Sequence, residues 1–241
     1  MSAKPELIAH RGYAARYPEN TIIAIEAAIK AGAAFVEVDV QLASDGTPVL
    51  FHDRTLNRMC GVAGVIADFS PRQIAGFSAS EHGRFGDAFS GTPIATLEEL
   101  TALMRRYAEV HFFIELKCES IERFDSAMVL ERTRQALKGL EGMCTLISFS
   151  TEIIAMAQVQ ELSTGLIVES WDQKSGMVEK PDYLFCNIKH LPASGNLHVS
   201  GTQLAIYEID DVDVALALAA RGVDFVETFT IGEMHTALTG C

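Results

Sequence analysis

Short apolar segments alternate with amphipathic helical patterns along most of this chain, and that alternation is the strongest constraint on its fold. Eight segments are predicted to be strands: Leu7–His10, Ala33–Val40, Val110–Lys117, Cys144–Phe149, Thr164–Glu169, Asp182–Asn187, Gln203–Glu208 and Val223–Phe229. Helices are predicted from Pro18–Thr21 to near Gly32, around Leu97–Leu103, and over Ser120–Leu140, Thr151–Leu162 and Asp211–Arg221. Strands separated by helices favour a parallel sheet in an α/β fold. Eight such units in 241 residues predict a TIM (β/α)8 barrel.

An open, doubly wound sheet is the alternative arrangement of the same elements. The glycine fingerprint of dinucleotide-binding sheets is absent from the sequence, which disfavours that arrangement. The strand–helix rhythm breaks over residues 53–93, which are rich in glycine and hold few long apolar runs. We therefore expect one domain over residues 1–241, with a small insertion at about 53–93 that covers the mouth of the barrel.

The apolar segment Val49–His52 is excluded from the eight strands for a geometric reason. Residues 43–48, which separate it from the second strand, are too few for a crossover between parallel strands, which needs about a dozen residues. Asp45-Gly46 is instead typical of a two-residue hairpin turn. Counting outward from that turn pairs Asp39 with His52 and places both side chains on one face of the hairpin.

The composition excludes several classes of function. A formal net charge of −13 disfavours binding to the phosphate backbone of nucleic acid, but suits a site in which a metal ion supplies local positive charge. No uncharged apolar run is long enough to span a bilayer, so we expect no stable membrane insertion. The first residues lack the apolar core of a signal peptide, which favours a cytoplasmic protein. The five cysteines form no CxxC pair, which disfavours zinc-ribbon and thiol redox sites.

Three carboxylates stand at or near the ends of predicted strands. Glu37 and Asp39 are two residues apart on one strand, so their side chains point to the same face. Neighbouring carboxylates repel each other unless a cation or a proton lies between them, and a hard divalent ion is the natural partner. Glu115 ends another strand and completes a candidate set of metal ligands. The alternative is that one of these carboxylates merely pairs with Arg11 or Lys117.

Two histidines also end predicted strands, with Arg11 following His10 and Asp53 following His52. On opposite sides of a phosphorus atom, one imidazole would take a proton from the nucleophile and the other would give one to the leaving alcohol. Arg11 suits forked contacts with phosphate oxygens, and Lys117 offers a point charge. Asp53 has two equal interpretations, as a cap of its loop or as a group that orients His52.

Other polar residues at the same barrel end carry weaker signals. Asn20 or Thr21 is expected only to cap the first helix. Tyr207 ends a late strand, where it is either an aromatic residue of the barrel rim or part of the substrate pocket. We take Tyr207 as a candidate substrate-binding residue.

Together these motifs resemble those of the glycerophosphodiester phosphodiesterase family, in its short bacterial cytoplasmic form. The resemblance rests on segments that arrive in the family's order and spacing: His10–Gly12, Pro18–Thr21, Glu37–Val40, Asp45–Asp53, Thr96–Glu99 and Glu115–Lys117. It covers nearly the whole chain and is strongest over residues 7–117.

The resemblance implies a distorted TIM barrel with a small inserted segment after the His-Asp motif. It also implies one divalent metal ion, Mg²⁺ or Ca²⁺, and a small-molecule substrate. At the matching positions, the acid–base pair is His10 and His52, the metal ligands are Glu37, Asp39 and Glu115, and the phosphate-binding groups are Arg11 and Lys117. The implied reaction hydrolyses glycerophosphodiesters to sn-glycerol 3-phosphate and an alcohol. The sequence does not decide whether the protein forms a homodimer.

The C-terminal part departs from the family pattern. Ile206–Ile209 stands where the family often has Trp-Thr-Val-Asn, and Glu227-Thr228 stands where its last strand often ends in Thr-Asp. These differences leave the metal and histidine set intact. They put the pocket for the glycerol or the alcohol in question.

Two other functions remain as alternatives. One is a phospholipase D-like lyase that acts on lysolipids, for which Phe77, Phe85 and Phe89 of the inserted segment would form an apolar groove. The other is a non-catalytic barrel that binds a phosphate ligand. The complete set of carboxylates and histidines disfavours this second alternative.

Overall fold

The computed structural model describes residues 4–176 and 180–240. Its strands are β1 (Glu6–His10), β2 (Phe35–Leu42), β3 (Pro48–Leu50), β4 (His111–Leu116), β5 (Cys144–Ser148), β6 (Thr164–Val168), β7 (Tyr183–Asn187), β8 (Gln203–Tyr207) and β9 (Phe225–Thr228). Its α-helices are α1 (Ile22–Lys30), α2 (Asn57–Cys60), α3 (Pro71–Ile74), α4 (His82–Phe85), α5 (Leu97–Arg106), α6 (Cys118–Phe124), α7 (Ser126–Ala136), α8 (Thr151–Val159), α9 (Val212–Ala219) and α10 (Ile231–Thr239).

Eight of these strands form a closed parallel barrel. Around the barrel the order is β1, β2, β4, β5, β6, β7, β8 and β9, and β9 pairs with β1 to close it. These are the eight strands predicted from the sequence, so the TIM-barrel prediction is confirmed. The carboxyl ends of parallel strands meet at one end of such a barrel, and the polar residues that end β1, β2 and β4 therefore converge there.

Alternate residues of the strands point inward and fill the barrel. One apolar layer inside it consists of Ile8, Phe113, Ile147, Ile167, Phe185, Ala205 and Phe225. The opposite faces of the strands pack against the helices in a larger cluster that includes Val36, Val38 and Ile114. Because side chains alternate along a strand, residues two positions after the inner layer also point inward, but nearer the carboxyl end. The inner layer thus forms the floor of any site at that end.

Helix α1 begins where the sequence predicts. The hydroxyl of Thr21 accepts a hydrogen bond from the Ala24 N–H, so Thr21 is the N-cap. The prediction of a single helix over Ser120–Leu140 is wrong, because α6 and α7 are separate. They are divided at Asp125, which has a φ of +67° and whose carboxylate caps α7 by accepting a hydrogen bond from the Met128 N–H.

The β2–β3 hairpin forms as predicted, but its register differs by one residue. Val40 lies opposite Leu50, and the Phe51 N–H donates to the Asp39 carbonyl at 3.0 Å. Asp39 is therefore not paired with His52, and the predicted direct opposition of these two residues is wrong.

The turn of this hairpin explains the shift in register. The Ala43 N–H donates to the Thr47 carbonyl, which leaves residues 44–46 as a three-residue loop. The Thr47 N–H donates to Asp45 Oδ1 at 2.9 Å, and Gly46 has a φ of +84°. A type I turn followed by one left-handed residue is the usual form of such a loop. One extra residue in the turn moves every cross-strand pair by one.

The inserted segment, residues 53–93, packs on the hairpin. It contains α2, α3 and α4, and its apolar residues Leu56, Met59 and Ile74 form a cluster with Val49 and Phe51. This cluster is separate from the barrel interior, so the segment has an apolar core of its own beside the site.

The barrel is irregular on one side. Among the described residues, the connections after β6 and β7 contain the 3₁₀ helices Trp171–Gly176 and Ile188–His190 where a regular barrel has α-helices. No helix in the described part of the chain is both long and apolar enough to cross a membrane.

Candidate active site

A cavity of about 210 Å³ opens at the carboxyl end of the barrel. Its lining residues are His10, Arg11, Glu37, His52, Glu115, Lys117, Ile147, Phe149, Ile167, Phe185, Tyr207, Glu208 and Glu227. Every site residue predicted from the sequence is in this lining except Asp39, which lies fully buried beside it. One wall of the cavity is charged and the opposite wall is apolar.

The register of three adjacent strands brings the predicted carboxylates together. His10 on β1 pairs with Glu37 on β2, and Asp39 pairs with Glu115 on β4. One oxygen from each of Glu37, Asp39 and Glu115 lies within 4.8 Å of the others. The three side chains are no more than about a tenth exposed.

This trio fits a hard divalent cation. Glu37 Oε1 is buried and accepts no hydrogen bond, while Asp39 Oδ1 and Glu115 Oε1 face the ammonium group of Lys117. Burial and the charge of Asp39 raise the pKa values of Glu37 and Glu115, because the ionised forms are both desolvated and repelled. Oxygen donors held close together and short of positive charge are the ligands that Mg²⁺ and Ca²⁺ prefer.

Two cations border the trio. Lys117 Nζ lies 2.8 Å from Glu115 Oε1 and 3.3 Å from Asp39 Oδ1, and Arg11 Nε lies 3.1 Å from Asp39 Oδ2. Burial alone would raise the pKa of Asp39, but Lys117 and Arg11 outweigh it and hold that pKa below its usual value. Asp39 is therefore ionised at neutral pH. The ion pairs with Arg11 and Lys117, which the sequence offered as the alternative to a metal site, are therefore present. They occur together with the cluster of three carboxylates.

His10 is held in one orientation. Its ring stacks on Phe229 with centroids 4.5 Å apart, and its Nε2 lies 3.8 Å from Glu37 Oε2. Its Nδ1 is buried without a hydrogen-bond partner. Burial, followed by the charge of Arg11, lowers the pKa of His10 well below its usual 6.5. The imidazole is therefore neutral at pH 7 and able to accept a proton.

The turn after β1 places the Arg11 guanidinium. Arg11 and Gly12 both have positive φ, at +56° and +79°. A Cβ on Gly12 would lie 2.7 Å from the Ala24 carbonyl carbon, so glycine is required at this close approach to α1. The tight turn also lets the Arg11 N–H donate to Glu37 Oε2 at 3.1 Å.

His52 is oriented by Asp53. Its Nδ1 lies 2.9 Å from Asp53 Oδ1, which favours the interpretation of Asp53 as an orienting group. Arg58 of the inserted segment donates to both Asp53 oxygens, at 2.7 and 2.8 Å. Burial would raise the pKa of Asp53, but the hydrogen bonds from His52 and Arg58 lower it, so this carboxylate is ionised.

Sequence reasoning missed two residues that support the site. Asn20 is buried, donates to Asp39 Oδ2 at 2.8 Å and accepts from the Asp39 N–H at 3.0 Å. Glu19 accepts hydrogen bonds from Arg11 and Arg58. Their position in the loop after β1 could have indicated this role, because that loop lies at the same end of the barrel as the site. Thr21 alone fills the capping role expected for this loop.

Two residues on late strands also line the cavity. Tyr207, at the end of β8, is half-buried and lines the cavity. Burial raises the pKa of its phenol, so Tyr207 is neutral at physiological pH. Glu227 on β9 is 3% exposed and was noticed in the sequence only as a departure from the family pattern. The alternation of side chains along β9, in which Phe225 points into the barrel, would have predicted that Glu227 also points into it.

Comparisons with known proteins agree with this geometry. Residues 10–228 match the glycerophosphoryl diester phosphodiesterase family. A glycerophosphodiester phosphodiesterase of Bacillus altitudinis is 30% identical over 192 residues, which are 79% of this chain and 74% of that protein. The human glycerophosphodiester phosphodiesterase 1 is 31% identical over 178 residues, 73% of this chain and 53% of that protein.

Solved structures share the fold over the whole barrel. An Oleispira antarctica phosphodiesterase superposes with a TM-score of 0.83 at 24% identity, covering 98% of this chain and 97% of that one. A glycerophosphodiester phosphodiesterase of Agrobacterium tumefaciens gives a TM-score of 0.77 at 25% identity, covering 95% and 98%. The chain therefore belongs to the glycerophosphoryl diester phosphodiesterase family and is an enzyme, a phosphoric diester hydrolase.

Proposed function

We propose that this enzyme hydrolyses glycerophosphodiesters to sn-glycerol 3-phosphate and an alcohol, with one divalent ion and a His10/His52 acid–base pair. The observation that carries the proposal is the cavity itself, which brings together two imidazoles, two cations and two of the trio's carboxylates, with Asp39 buried beside them. The single domain predicted from the sequence, with its insertion at about 53–93, would carry the whole activity.

Glu37, Asp39 and Glu115 would hold the ion, which we take to be Mg²⁺ or Ca²⁺. When bound, it would supply Lewis-acid polarisation of the phosphate and the glycerol hydroxyl. The clustering of the trio's oxygens and the unpartnered Glu37 Oε1 support this assignment, as does the raised pKa of Glu37 and of Glu115. Asn20 fixes the orientation of Asp39 through two hydrogen bonds.

The phosphate would lie against Arg11 and Lys117. Both side chains border the cavity and remain cationic, since the neighbouring carboxylates raise their pKa values even though burial alone would lower them. A phosphodiester carries one negative charge, and these two cations would position it and stabilise the charge that grows in the transition state. Tyr207 would line the pocket on the substrate side.

The two imidazoles would move the protons. Neutral His10 can accept a proton at neutral pH from the nucleophile, which is either water or the neighbouring glycerol hydroxyl with water then opening the cyclic phosphate, because the pKa of His10 is lowered by burial and by Arg11. His52, held through Nδ1 by Asp53, would then protonate the leaving alcohol through its other ring nitrogen. The reverse assignment of acid and base uses the same contacts.

The relatives support this choice of substrate. The Oleispira antarctica structure is described as a complex with the product sn-glycerol-3-phosphate. The lysolipid alternative finds less support, because the phenylalanines that suggested it do not line the cavity. Phe77 packs on Phe69, and Phe85 packs on Phe89.

A panel of substrates tests the proposal. Glycerophosphocholine, glycerophosphoethanolamine and a lysophosphatidylcholine would be assayed for release of glycerol 3-phosphate and, separately, of free choline or ethanolamine, with and without a chelator. We expect release from the first two substrates only, and loss of release on chelation. Turnover confined to the lysolipid, or turnover that a chelator leaves unchanged, would contradict the proposal.

Single histidine variants test the acid–base pair. We expect His10→Ala and His52→Ala each to lower kcat by about 100-fold or more, since general acid–base catalysis contributes about that much. Metal affinity, measured by calorimetry, should change little. His198→Ala is a matched control, because His198 is exposed and outside the cavity lining. Either active-site variant with near wild-type turnover would exclude that residue as a proton carrier.

A further inference from the structure

A fourth carboxylate inside the barrel has no task in the proposed mechanism. Glu227 is 3% exposed and lines the cavity, and its Oε1 accepts no hydrogen bond. No basic side chain in the described part of the chain forms an ion pair with it. The charge of Arg11 acts on Glu227 without forming an ion pair, and a buried carboxyl oxygen without a hydrogen bond is costly, so a ligand that donates to Oε1 would offset that cost.

We propose that Glu227 is a specificity-determining residue that hydrogen-bonds a hydroxyl of the substrate's glycerol moiety. The inference rests on the proposed function, because it assigns one end of that substrate to a place in the cavity. It adds a recognition residue on β9, on the side of the barrel where the chain departs from the family pattern.

The strand geometry aims Glu227 into the cavity. Phe225, two residues earlier on β9, belongs to the apolar layer inside the barrel, so the Glu227 side chain also points inward, one layer nearer the opening. On one side Glu227 pairs with Ile8 of β1. On the other side Ala205 pairs with Phe225, which sets Tyr207 beside Glu227 two residues further along. Glu227 thus stands next to the apolar layer that forms the floor of the cavity.

Glu227 is not part of the metal set. The trio of Glu37, Asp39 and Glu115 has ligand atoms within 4.8 Å of one another, and Glu227 is not a member of that group. Glu115 raises the pKa of Glu227 further, after burial, so the two carboxyl groups are neighbours, but Glu227 stays outside the 4.8 Å group that the trio forms. A substrate group is therefore the better partner for its free oxygen.

The chemistry of Glu227 selects a hydroxyl over a phosphate. An ionised carboxyl accepts a hydrogen bond from a hydroxyl, and a protonated one can also donate, so the pairing holds in either state. A phosphate oxygen would be repelled, and the phosphate already has Arg11 and Lys117 on the charged wall. With the phosphate held there, the small glycerol end fits the deep cavity beside Glu227. The variable alcohol would then face the opening.

Binding of two product-like ligands tests the inference. Dissociation constants would be measured for sn-glycerol 3-phosphate and for propyl phosphate, which has the same chain length without the hydroxyls. We expect the wild-type enzyme to prefer glycerol 3-phosphate, and Glu227→Leu to reduce that preference by about 10-fold or more, as for loss of a hydrogen bond to a charged group. Glu227→Gln keeps a donor and an acceptor and should retain most of the preference.

Matched controls separate this role from others. Glu109→Gln, an exposed residue just before β4, should leave the preference unchanged. An unchanged preference in Glu227→Leu would overturn the inference. A weakening of Mg²⁺ or Ca²⁺ binding by Glu227→Gln of more than about 10-fold would overturn it as well, because Glu227 would then be a metal ligand.

The head group provides the last discrimination. If Glu227→Leu lowered kcat/KM for glycerophosphoethanolamine far more than for glycerophosphoglycerol, Glu227 would recognise the ammonium group and the inference would fail. We expect the two losses to be equal. Failure of the proposed function is a separate result, since it would appear as no release of glycerol 3-phosphate by the wild-type enzyme from any member of the panel.

Discussion

Asp39 is the most strongly constrained side chain of the site. It is fully buried, lies near Arg11 and Lys117, and exchanges two hydrogen bonds with Asn20. The two hydrogen bonds with Asn20 engage Asp39 Oδ2 and the Asp39 N–H, so Oδ1 is left beside the ammonium group of Lys117, at 3.3 Å. Asn20 itself has a φ of +57°, a conformation that asparagine tolerates better than most residues.

Removal of the Asn20 side chain should weaken the proposed metal site. We expect Asn20→Gly to lower Mg²⁺ or Ca²⁺ affinity by about 10- to 100-fold, because groups that orient a metal ligand typically contribute that much. Glycine keeps the positive φ without strain, so the change isolates the lost contacts with Asp39. Glu161→Gly, at a φ of +58° on an exposed position, is the control for the backbone effect. Calorimetric titration gives the affinities, and an Asn20→Gly affinity within about 2-fold of wild type would refute this role.

Residue spacing predicted the acidic trio, but not its supports. Glu37 and Asp39 share a face because strand side chains alternate, and that rule depends on sequence separation alone. Asn20 and Glu19 reach the site through a loop whose path depends on the left-handed turn at Arg11 and Gly12. Glu227 could have been placed in the site only by predicting which residues of β9 point into the barrel. The sole sequence evidence for this is that Glu227 lies two residues after Phe225.

At the scale of elements, the inserted segment is tied to the catalytic end by Arg58. This residue, on α2, donates to Asp53 and to Glu19, and also to Glu81 near α4 at 3.2 Å. It therefore joins the loop after β1, the loop that holds His52 and the segment itself. The other acids have further partners, since Glu19 pairs with Arg11 and Glu81 with Arg84.

Loss of Arg58 should lower turnover without preventing metal binding. We expect Arg58→Met to reduce kcat by about 10- to 100-fold. Asp53 would lose the two hydrogen bonds from Arg58 that hold it against His52, and a small displacement of a catalytic group can lower the rate by about that much. Arg58→Lys should be intermediate, because an ammonium group cannot make the bidentate contact. Arg72→Met, on the exposed side of α3, is the control. A loss of metal affinity equal to the loss of kcat would point to general disruption instead of a positioning role.

The elements were predictable where periodicity alone defines them. All eight barrel strands were located because apolar runs between helical patterns have few other interpretations. The break between α6 and α7 was missed because it depends on a single residue, Asp125, that ends one helix and caps the next. The hairpin register was missed because Asp45-Gly46 fits both a two-residue and a three-residue turn. The three-residue turn is selected by the hydrogen bond from the Thr47 N–H to Asp45 Oδ1, which is visible only in the structure.

For the whole molecule, the catalytic end concentrates acid groups that folding must bury. Burial raises the pKa values of Glu37, Glu115 and Glu227, and their mutual repulsion raises them further. Arg11 and Lys117 offset this repulsion only in part, since the three pKa values remain raised. The site is therefore expected to reduce the stability of the metal-free protein, in the way that functional sites commonly do.

Glu227 allows this cost to be measured against pH. Its pKa in the folded protein lies above the usual 4.5, so between those two values the folded state binds more protons than the unfolded state. Stability from this group is then complete below about pH 4.5 and is lost as the pH rises through the folded pKa. Glu227→Gln does not titrate, so the Tm difference between this variant and the wild type should shift in favour of the variant as the pH rises from 5 to 8. Thermal unfolding in the presence of chelator, with Glu109→Gln as the exposed control, measures the difference, and a shift in favour of the wild type over that range would show that the folded pKa of Glu227 is lowered.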